Sequence, residues 1–366
     1  MTEVAEKART RERIRSPLVD CDVHIQPAAR SDLGAYMPEH WQHHLHLFGQ
    51  RGRSGAHYPR ANADAARTDA WPPNGKPPGS DLDFLRQQLL DGWNIDFAVL
   101  NPLLGAGGQQ NLEFGAVLAT AINDWQIAEW LTPEPRLRGS IVVENEDGEL
   151  ASREIDRLGD NPAFVHVLLS IRTAEPLGRR KYWPMYEAAV RHGLPVGIHF
   201  GGSGGYPITG AGYPSFYIED HAGMSTAFQA QVTSMITEGI FERFPELRIV
   251  LIEGGFAWLA PLMWRLDEAY GRLREEVPSL RRRPSEYIRD HIWLTTQPIE
   301  EPPKAEQFLR LMTQLQMSDH LMFATDYPHW DFDAPDHAIP TGLPDALRQA
   351  IRASNAARLY GLGTME

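Results

Sequence analysis

The alternation of short apolar runs with longer segments of helical periodicity most constrains what this chain can fold into. Strands that are buried on both faces read as continuous apolar runs, so this rhythm is typical of a parallel sheet covered by helices. A doubly wound open sheet and a closed barrel both fit it. The eight predicted strands are residues 18–24, 95–100, 139–143, 164–169, 195–199, 247–252, 291–295 and 321–325.

The length of 366 residues suits one barrel with additions, because a barrel of eight strand–helix units needs about 250 residues. We expect residues 1–17 to form an N-terminal arm, since this stretch is charged and has no apolar run of a signal peptide. Residues 18–366 are predicted to form a single domain. Two segments break the rhythm, 28–80 and 200–220, and they are predicted to be insertions after strands one and five. We expect residues 28–80 to act as a cap or lid over the barrel mouth.

Charge and cysteine content exclude several classes of partner. The formal net charge is −13, which argues against nucleic acid and anionic membranes, since both need a basic face. Cys21 is the single cysteine, so a disulfide framework within the chain is impossible and a cytoplasmic location is expected. No apolar run approaches the roughly 20 residues of a membrane span. The expected partner is a small molecule, and a homodimer is an open alternative.

Polar residues gather at the predicted carboxyl ends of three strands, where sites form in such barrels. Asp22 and His24 are two residues apart and therefore share one face of strand one. His199 ends strand five, and Asp326 follows strand eight. Each residue alone is more often structural, but together they form a mixed nitrogen and oxygen set that suits zinc, manganese or iron. The sequence therefore predicts a metal site with these four ligands.

Other side chains near the same ends are candidates for substrate binding. Arg172 follows strand four and could clamp a carboxylate, although a surface ion pair is an equal alternative. Trp258, Trp330 and Phe332 flank the ends of strands six and eight. They could line an aromatic pocket or simply pack under a loop.

Five motifs occur in order along the chain: VDCDVHIQP at 19–27, YWPMYEAAVRHGLPVGIHFGG at 182–202, EGIFERFPELRIVLIEGGFAWL at 238–259, FATDYPHWD at 323–331 and NAARLYGL at 355–362. Together they resemble the amidohydrolase superfamily. The resemblance is to its amidohydrolase-related branch, which contains amino-carboxymuconate-semialdehyde decarboxylase and the resorcylate decarboxylases.

This resemblance implies a (β/α)8 TIM barrel of the metal-dependent hydrolase type. Asp22 and His24 match the strand-one pair, in the carboxylate-x-His variant of the decarboxylase branch. His199 matches the strand-five ligand, and Asp326 matches the strand-eight aspartate that binds metal and can handle a proton. Strand four has no lysine that could bridge two ions. The resemblance therefore implies one divalent ion, Zn or Mn.

The chain departs from the family pattern after strand six. Glu253 stands where the family usually has a histidine. We expect Glu253 to carry a proton in its place, and His221 could supply the missing imidazole. The predicted catalytic residues are therefore Asp326, Glu253 and His221.

The resemblance favours non-oxidative decarboxylation of a small carboxylated or aromatic substrate, because the carboxylate-x-His pair belongs to that branch. Hydrolysis of an amide, ester or lactone by metal-activated water is the alternative. A catalytically inactive ligand-binding barrel is a third hypothesis, and it predicts an incomplete metal site.

Overall fold

A computed structural model describes residues 17–51, 65–202 and 211–363. Its centre is one sheet of eight parallel strands that neighbour one another in chain order. This order confirms the predicted strands in number and in place. They are β1 Val19–Val23, β2 Phe97–Leu100, β3 Leu137–Val142, β4 Phe164–Ser170, β5 Val196–His199, β6 Ile249–Ile252, β7 Ile292–Thr295 and β8 Leu321–Met322.

The sheet closes on itself where β1 meets the segment that follows β8. The Cys21 amide donates to the Phe323 carbonyl at 2.9 Å, and the His24 amide donates to the Tyr327 carbonyl at 2.7 Å. Val23 and Tyr327 form a parallel bridge. The fold is therefore the predicted (β/α)8 barrel and not an open sheet.

Helices alternate with the strands and cover the outside of the barrel. Asn111 caps the helix that begins at Leu112, since its side chain accepts a hydrogen bond from the Phe114 amide at 3.1 Å. The helical segment over residues 225–243 is divided at Gly239, which has a φ of 79°. The helices are α1 Glu39–Phe48, α2 Leu82–Leu85, α3 Leu112–Gln126, α4 Gly148–Leu158, α5 Trp183–Arg191, α6 Tyr217–Gly223, α7 Ser225–Thr237, α8 Ile240–Arg243, α9 Leu259–Leu273, α10 Pro284–His291, α11 Ala305–Leu315, α12 Asp345–Gln349 and α13 Asn355–Tyr360.

Register across the sheet brings the carboxyl ends of neighbouring strands to one mouth. His199 at the end of β5 pairs with Ser170 at the end of β4 and with Ile252 at the end of β6. Every residue of β1, β5, β6 and β7 is buried, as expected for strands covered on both faces. Polar residues at these ends are therefore held together by a rigid apolar core.

The described part of the first insertion contacts this mouth. Ala65 accepts a hydrogen bond from the Trp330 amide at 2.8 Å, and Gly79 accepts one from the Gln26 amide at 2.9 Å. The rest of the predicted lid, 52–64, and the predicted arm, 1–16, lie outside the described residues, as do residues 203–210 of the second insertion. None of the helices described is both long and apolar enough for a membrane crossing.

Candidate metal centre

The four predicted metal ligands meet at the centre of the barrel mouth. Nε2 of His199 lies 3.1 Å from Oδ2 of Asp22, and Nε2 of His24 lies 2.8 Å from Oδ1 of Asp326. Nε2 of His24 is also 3.3 Å from Oδ1 of Asp22. All four residues are buried. The sequence prediction that they converge is borne out by this geometry, while their role as ligands stays a prediction.

Unusual backbone geometry places two carboxylates at the strand ends. Glu253 directly follows β6 and has a φ of 57°, and Asp326 follows β8 with a φ of 61°. This left-handed region is uncommon for residues other than glycine, and strained residues of this kind cluster at active sites. Asp22, Glu253 and Asp326 each offer an oxygen within 4.8 Å of the others. Two of the three carboxylates that meet here, those of Glu253 and Asp326, are therefore carried on strained backbone.

The tautomers of both histidines suit metal binding. Nδ1 of His24 lies 2.7 Å from the Asn101 carbonyl, and Nδ1 of His199 lies 2.6 Å from the Phe200 carbonyl. Each Nδ1–H therefore donates to the main chain, so Nε2 is the nitrogen that faces the carboxylates and that would bind a metal. Histidines that bind metal are typically held in this way.

Electrostatics at the site also favours a cation. Burial by itself raises the pKa of Asp326, but His329 and His24 beside it hold that pKa well below its usual range. Burial by itself lowers the pKa of His24, but Asp22 and Asp326 raise it to about 9. Burial, followed by Asp326 and Asp22, raises the pKa of Glu253 well above its usual value. Crowded carboxylates of this kind, with imidazole nitrogens among them, form a donor set that fits one divalent ion.

Glu253 and His221 lie at different distances from this centre. Oε2 of Glu253 is 3.5 Å from Nδ1 of His199, so the carboxyl group borders the ligand set. Nε2 of His221 is 2.9 Å from Oδ2 of Asp331. The Gln297 side chain then donates to both Asp331, at 3.0 Å, and Asp326, at 3.3 Å. His221 is therefore linked to the centre through two intervening side chains.

The predicted substrate residues separate into different surroundings. Arg172 forms a buried ion pair with Asp220, with 2.6 Å between the guanidinium nitrogen and the carboxylate oxygen. Trp330 is 39% exposed, and its Nε1 lies 3.3 Å from the Tyr217 hydroxyl. Trp258 is buried and donates to the Gly254 carbonyl at 2.8 Å. Of the two tryptophans, Trp330 is the one that remains open to solvent.

Phe332 is not brought to the ligand set. Its ring lies under the Arg67 guanidinium at 4.3 Å and packs against Trp93 and Tyr327. These contacts are the packing alternative for an aromatic residue under a loop. Its proposed contact with substrate stays a prediction without support from this geometry.

A pocket of about 290 Å³ lies beside the metal centre. Among its lining residues, Gln26, Arg30 and Tyr217 were missed by the sequence analysis. Gln26 and Arg30 lie in the irregular segment after β1, and Tyr217 begins the short helix α6 after the second insertion's glycine-rich stretch. Asn101 and Gln297 were missed too, although each follows a strand closely and the strand-end rule applied to β2 and β7 would have found them. The lining residues are His24, Ile25, Gln26, Arg30, Ala65, Pro78, Leu103, Leu104, Tyr217, Pro328 and His329.

The His221–Asp331 contact predicts a pH-dependent stability. The hydrogen bond to Asp331 raises the pKa of His221 above its ordinary value of 6.5. The stabilisation is therefore fully present below pH 6.5 and is lost as the pH rises through the raised pKa. His221→Gln should lower the melting temperature of metal-free protein more at about pH 5.5 than at about pH 9. An equal loss at both pH values would show that this ion pair does not hold α6 to the β8 loop.

Comparisons with known proteins agree with the fold. The family model described as Amidohydrolase matches residues 19–362. Gamma-resorcylate decarboxylase from Polaromonas sp. (strain JS666) is 26% identical over 308 residues, which is 77% of this chain and 88% of that protein.

Solved structures with the same fold include two decarboxylases. For 5-carboxyvanillate decarboxylase from Sphingomonas paucimobilis, the TM-score is 0.69 at 21% identity, covering 95% of this chain and 100% of that one. For dihydroxybenzoic acid decarboxylase from Polaromonas sp. JS666, solved with manganese and an inhibitor, it is 0.66 at 20% identity, covering 96% and 98%. The family model spans nearly the whole barrel, and the chain therefore belongs to the amidohydrolase family.

Proposed function

We propose that this protein is a metal-dependent enzyme that decarboxylates a small aromatic or similarly unsaturated carboxylic acid without oxidation. The observation that carries the proposal is the buried cluster of Asp22, His24, His199 and Asp326, with the carboxyl group of Glu253 at its border. Decarboxylase activity of relatives with 20–26% identity supports it. The complete donor set argues against an inactive binding barrel.

Manganese is the ion that we propose, with zinc as the alternative. The donor set contains at least two carboxylates, and oxygen-rich sites suit manganese. The manganese in the dihydroxybenzoic acid decarboxylase structure supports the same choice. The bound ion would act as a Lewis acid towards the substrate carboxylate and a neighbouring oxygen.

Glu253 is the proposed proton donor. Its raised pKa favours the neutral carboxylic acid, the form that can give a proton. We propose that the proton adds to the carbon that carries the carboxylate, using an electron pair of the unsaturated system. The bond to the carboxylate then breaks, its electron pair restores the unsaturation, and carbon dioxide leaves. Glu253 regains its proton from water, while Asp326 remains ionised.

The pocket beside the cluster suits a substrate with one ring. Its volume of about 290 Å³ lies at the small end of ligand pockets. Leu103, Leu104 and Pro328 give it an apolar wall, and Tyr217 adds an aromatic ring. Arg30 supplies a positive charge for an acidic group.

A panel of substrates tests the reaction. Protein loaded with Mn²⁺ is offered hydroxylated benzoic acids, muconate-like acids, and a matched set of amides, esters and lactones. We expect release of carbon dioxide from at least one acid, and loss of that activity after chelation. Hydrolysis of the second set without carbon dioxide would instead establish the hydrolase alternative. Binding of Mn²⁺ without turnover of either set would favour the inactive barrel.

We also propose a cytoplasmic location and a homodimer. The buried, unpaired thiol of Cys21 supports a reducing compartment. Phe216 and Ile218 are 67% and 73% exposed beside the mouth, and a second copy of the chain would cover such apolar side chains.

A further inference from the structure

We propose that Asn101, His166 and Tyr360 form a hydrogen-bond chain that orients the candidate ligands on β1 and thereby sets the affinity of the site for metal. The proposal rests on the metal centre of the proposed function, but not on the decarboxylation. The three residues come from the end of β2, the middle of β4 and the last turn of α13. None of them touches the substrate pocket, so they act as positioning residues.

Asn101 holds both candidate ligands of strand one, Asp22 within β1 and His24 directly after it. Its Nδ2 donates to Oδ1 of Asp22 at 2.9 Å and to the Cys21 carbonyl at 3.2 Å. The main-chain carbonyl of Asn101 accepts a hydrogen bond from Nδ1 of His24 at 2.7 Å. One fully buried residue thus fixes the rotation of a carboxylate and the tautomer of an imidazole.

The partners of Asn101 determine which way its amide faces. Asp22 and the Cys21 carbonyl are both acceptors, so the nitrogen of the amide must face them and its oxygen must face away. That oxygen lies 3.0 Å from Nε2 of His166, which therefore carries a hydrogen. Nδ1 of His166 is then an acceptor, and the Tyr360 hydroxyl donates to it at 3.3 Å. Burial lowers the pKa of His166 to about 3, which agrees with a neutral ring.

The barrel interior makes room for this chain. His166 is a polar residue within an otherwise apolar stretch of β4, and its ring crosses towards β5. A Cβ atom at Gly197 of β5 would lie 2.9 Å from Cδ2 and Nε2 of that ring. Real Cβ atoms do not approach so closely, so β5 needs glycine where the imidazole passes. The absence of a side chain at Gly197 therefore leaves the space that the His166 ring occupies.

The chemical consequence is preorganisation of the ligands. Without the amide of Asn101, Asp22 loses a donor to Oδ1 and its carboxylate can rotate away from the metal position. Residues that orient metal ligands in this way commonly change metal affinity by about 10- to 100-fold when they are replaced. The stabilisation of the fold by the same hydrogen bonds is a separate quantity, so metal affinity and folding can be measured apart.

The test is a competition titration of metal-free protein with Mn²⁺ and a chelating dye. We expect Asn101→Leu to weaken Mn²⁺ binding by about 10- to 100-fold. Tyr360→Phe should weaken it by up to about fivefold, the worth of one neutral hydrogen bond. The matched control is Tyr186→Phe. The Tyr186 hydroxyl is buried and donates to the Leu177 carbonyl at 2.9 Å, so it is not part of the hydrogen-bond chain of Asn101, His166 and Tyr360. This control should lower the melting temperature without changing Mn²⁺ affinity.

Unchanged Mn²⁺ affinity in folded Asn101→Leu and Tyr360→Phe would overturn the proposal. If Asn101→Leu does not fold, Tyr360→Phe decides alone, because it removes a single oxygen atom. Failure of the wild-type protein to bind Mn²⁺ would overturn both the proposed role of the hydrogen-bond chain and the proposed manganese site. A third outcome separates the two proposals. If the wild-type protein binds Mn²⁺, the variants bind it more weakly and no acid releases carbon dioxide, the hydrogen-bond chain is supported and the decarboxylase proposal is wrong.

Discussion

Asp326→Asn is expected to lower kcat by more than about 10³ and to weaken Mn²⁺ binding by at least about tenfold, because the site would lose a ligand. The amide keeps the shape of the side chain but removes its negative charge. Oδ1 of Asp326 also lies 2.7 Å from Nδ1 of His329 and 2.8 Å from Nε2 of His24. The substitution would therefore weaken the contacts that two imidazoles make with their common partner, because the amide oxygen carries no negative charge. Turnover and Mn²⁺ content of the purified variant are the two measurements.

Asp333→Asn is the matched control for this prediction. Asp333 lies in the same loop, and burial raises the pKa of its carboxyl group to about 7, so an amide replaces a group that is fully protonated only below that pH. We expect turnover and Mn²⁺ affinity to stay within about threefold of the wild type, since changes away from the ligand set cost little. Normal Mn²⁺ binding by Asp326→Asn, with a normal control, would remove Asp326 from the set of ligands.

Local patterns were enough to predict the strands and the cluster at their ends, while the family resemblance decided between a closed barrel and an open sheet. A buried parallel strand shows as an apolar run, and the residue after such a run lies at the mouth by construction. His199 and Glu253 were found in this way. Strand eight ends earlier than predicted, at Met322, because the Thr325 amide and hydroxyl both donate to Asp20 instead of continuing the sheet.

The remaining features depend on contacts between residues far apart in the chain. Asp20 and Thr325 are 305 positions apart, and His166 and Tyr360 are 194 positions apart. Pairs of this kind follow from the register around a closed barrel, which no local pattern encodes. Trp330 and Phe332 show the same limit of local patterns. Both were predicted to line an aromatic pocket for the same reason, their position after strand eight. The path of the β8 loop leaves Trp330 exposed and packs Phe332 against Arg67.

Two features of Glu253 are energetically unfavourable and are not expected of a purely structural residue. Its left-handed backbone costs on the order of 1 kcal/mol or more. Its carboxyl group is buried beside Asp326 and Asp22, which together with burial raise its pKa well above the usual value. Strain and a perturbed pKa at one residue beside a ligand set are the usual marks of a proton carrier. Position and electrostatics thus favour the same role.

Glu253→Gln is expected to lower kcat by about 10²–10⁴, the usual contribution of a positioned proton carrier, while Mn²⁺ content stays intact. Glutamine keeps the size of the side chain but cannot give up a proton. The raised pKa of Glu253 also predicts the direction in which activity changes with pH. The wild-type enzyme should keep its activity while Glu253 is protonated and lose it as the pH rises through that pKa. The variant should lack this limb of the pH profile.

Glu300→Gln separates this role from a structural one. The Glu300 carboxylate accepts from the Phe256 amide at 2.9 Å and from the Ala257 amide, so it holds the loop that follows Glu253. Its replacement should lower the melting temperature while the folded protein keeps its kcat and its pH profile. If Glu253→Gln behaves in the same way, Glu253 is a structural residue of this loop. The proton must then come from His221 rather than from Asp326. Asp331 raises the pKa of His221, whereas His329 and His24 hold the pKa of Asp326 well below its usual range.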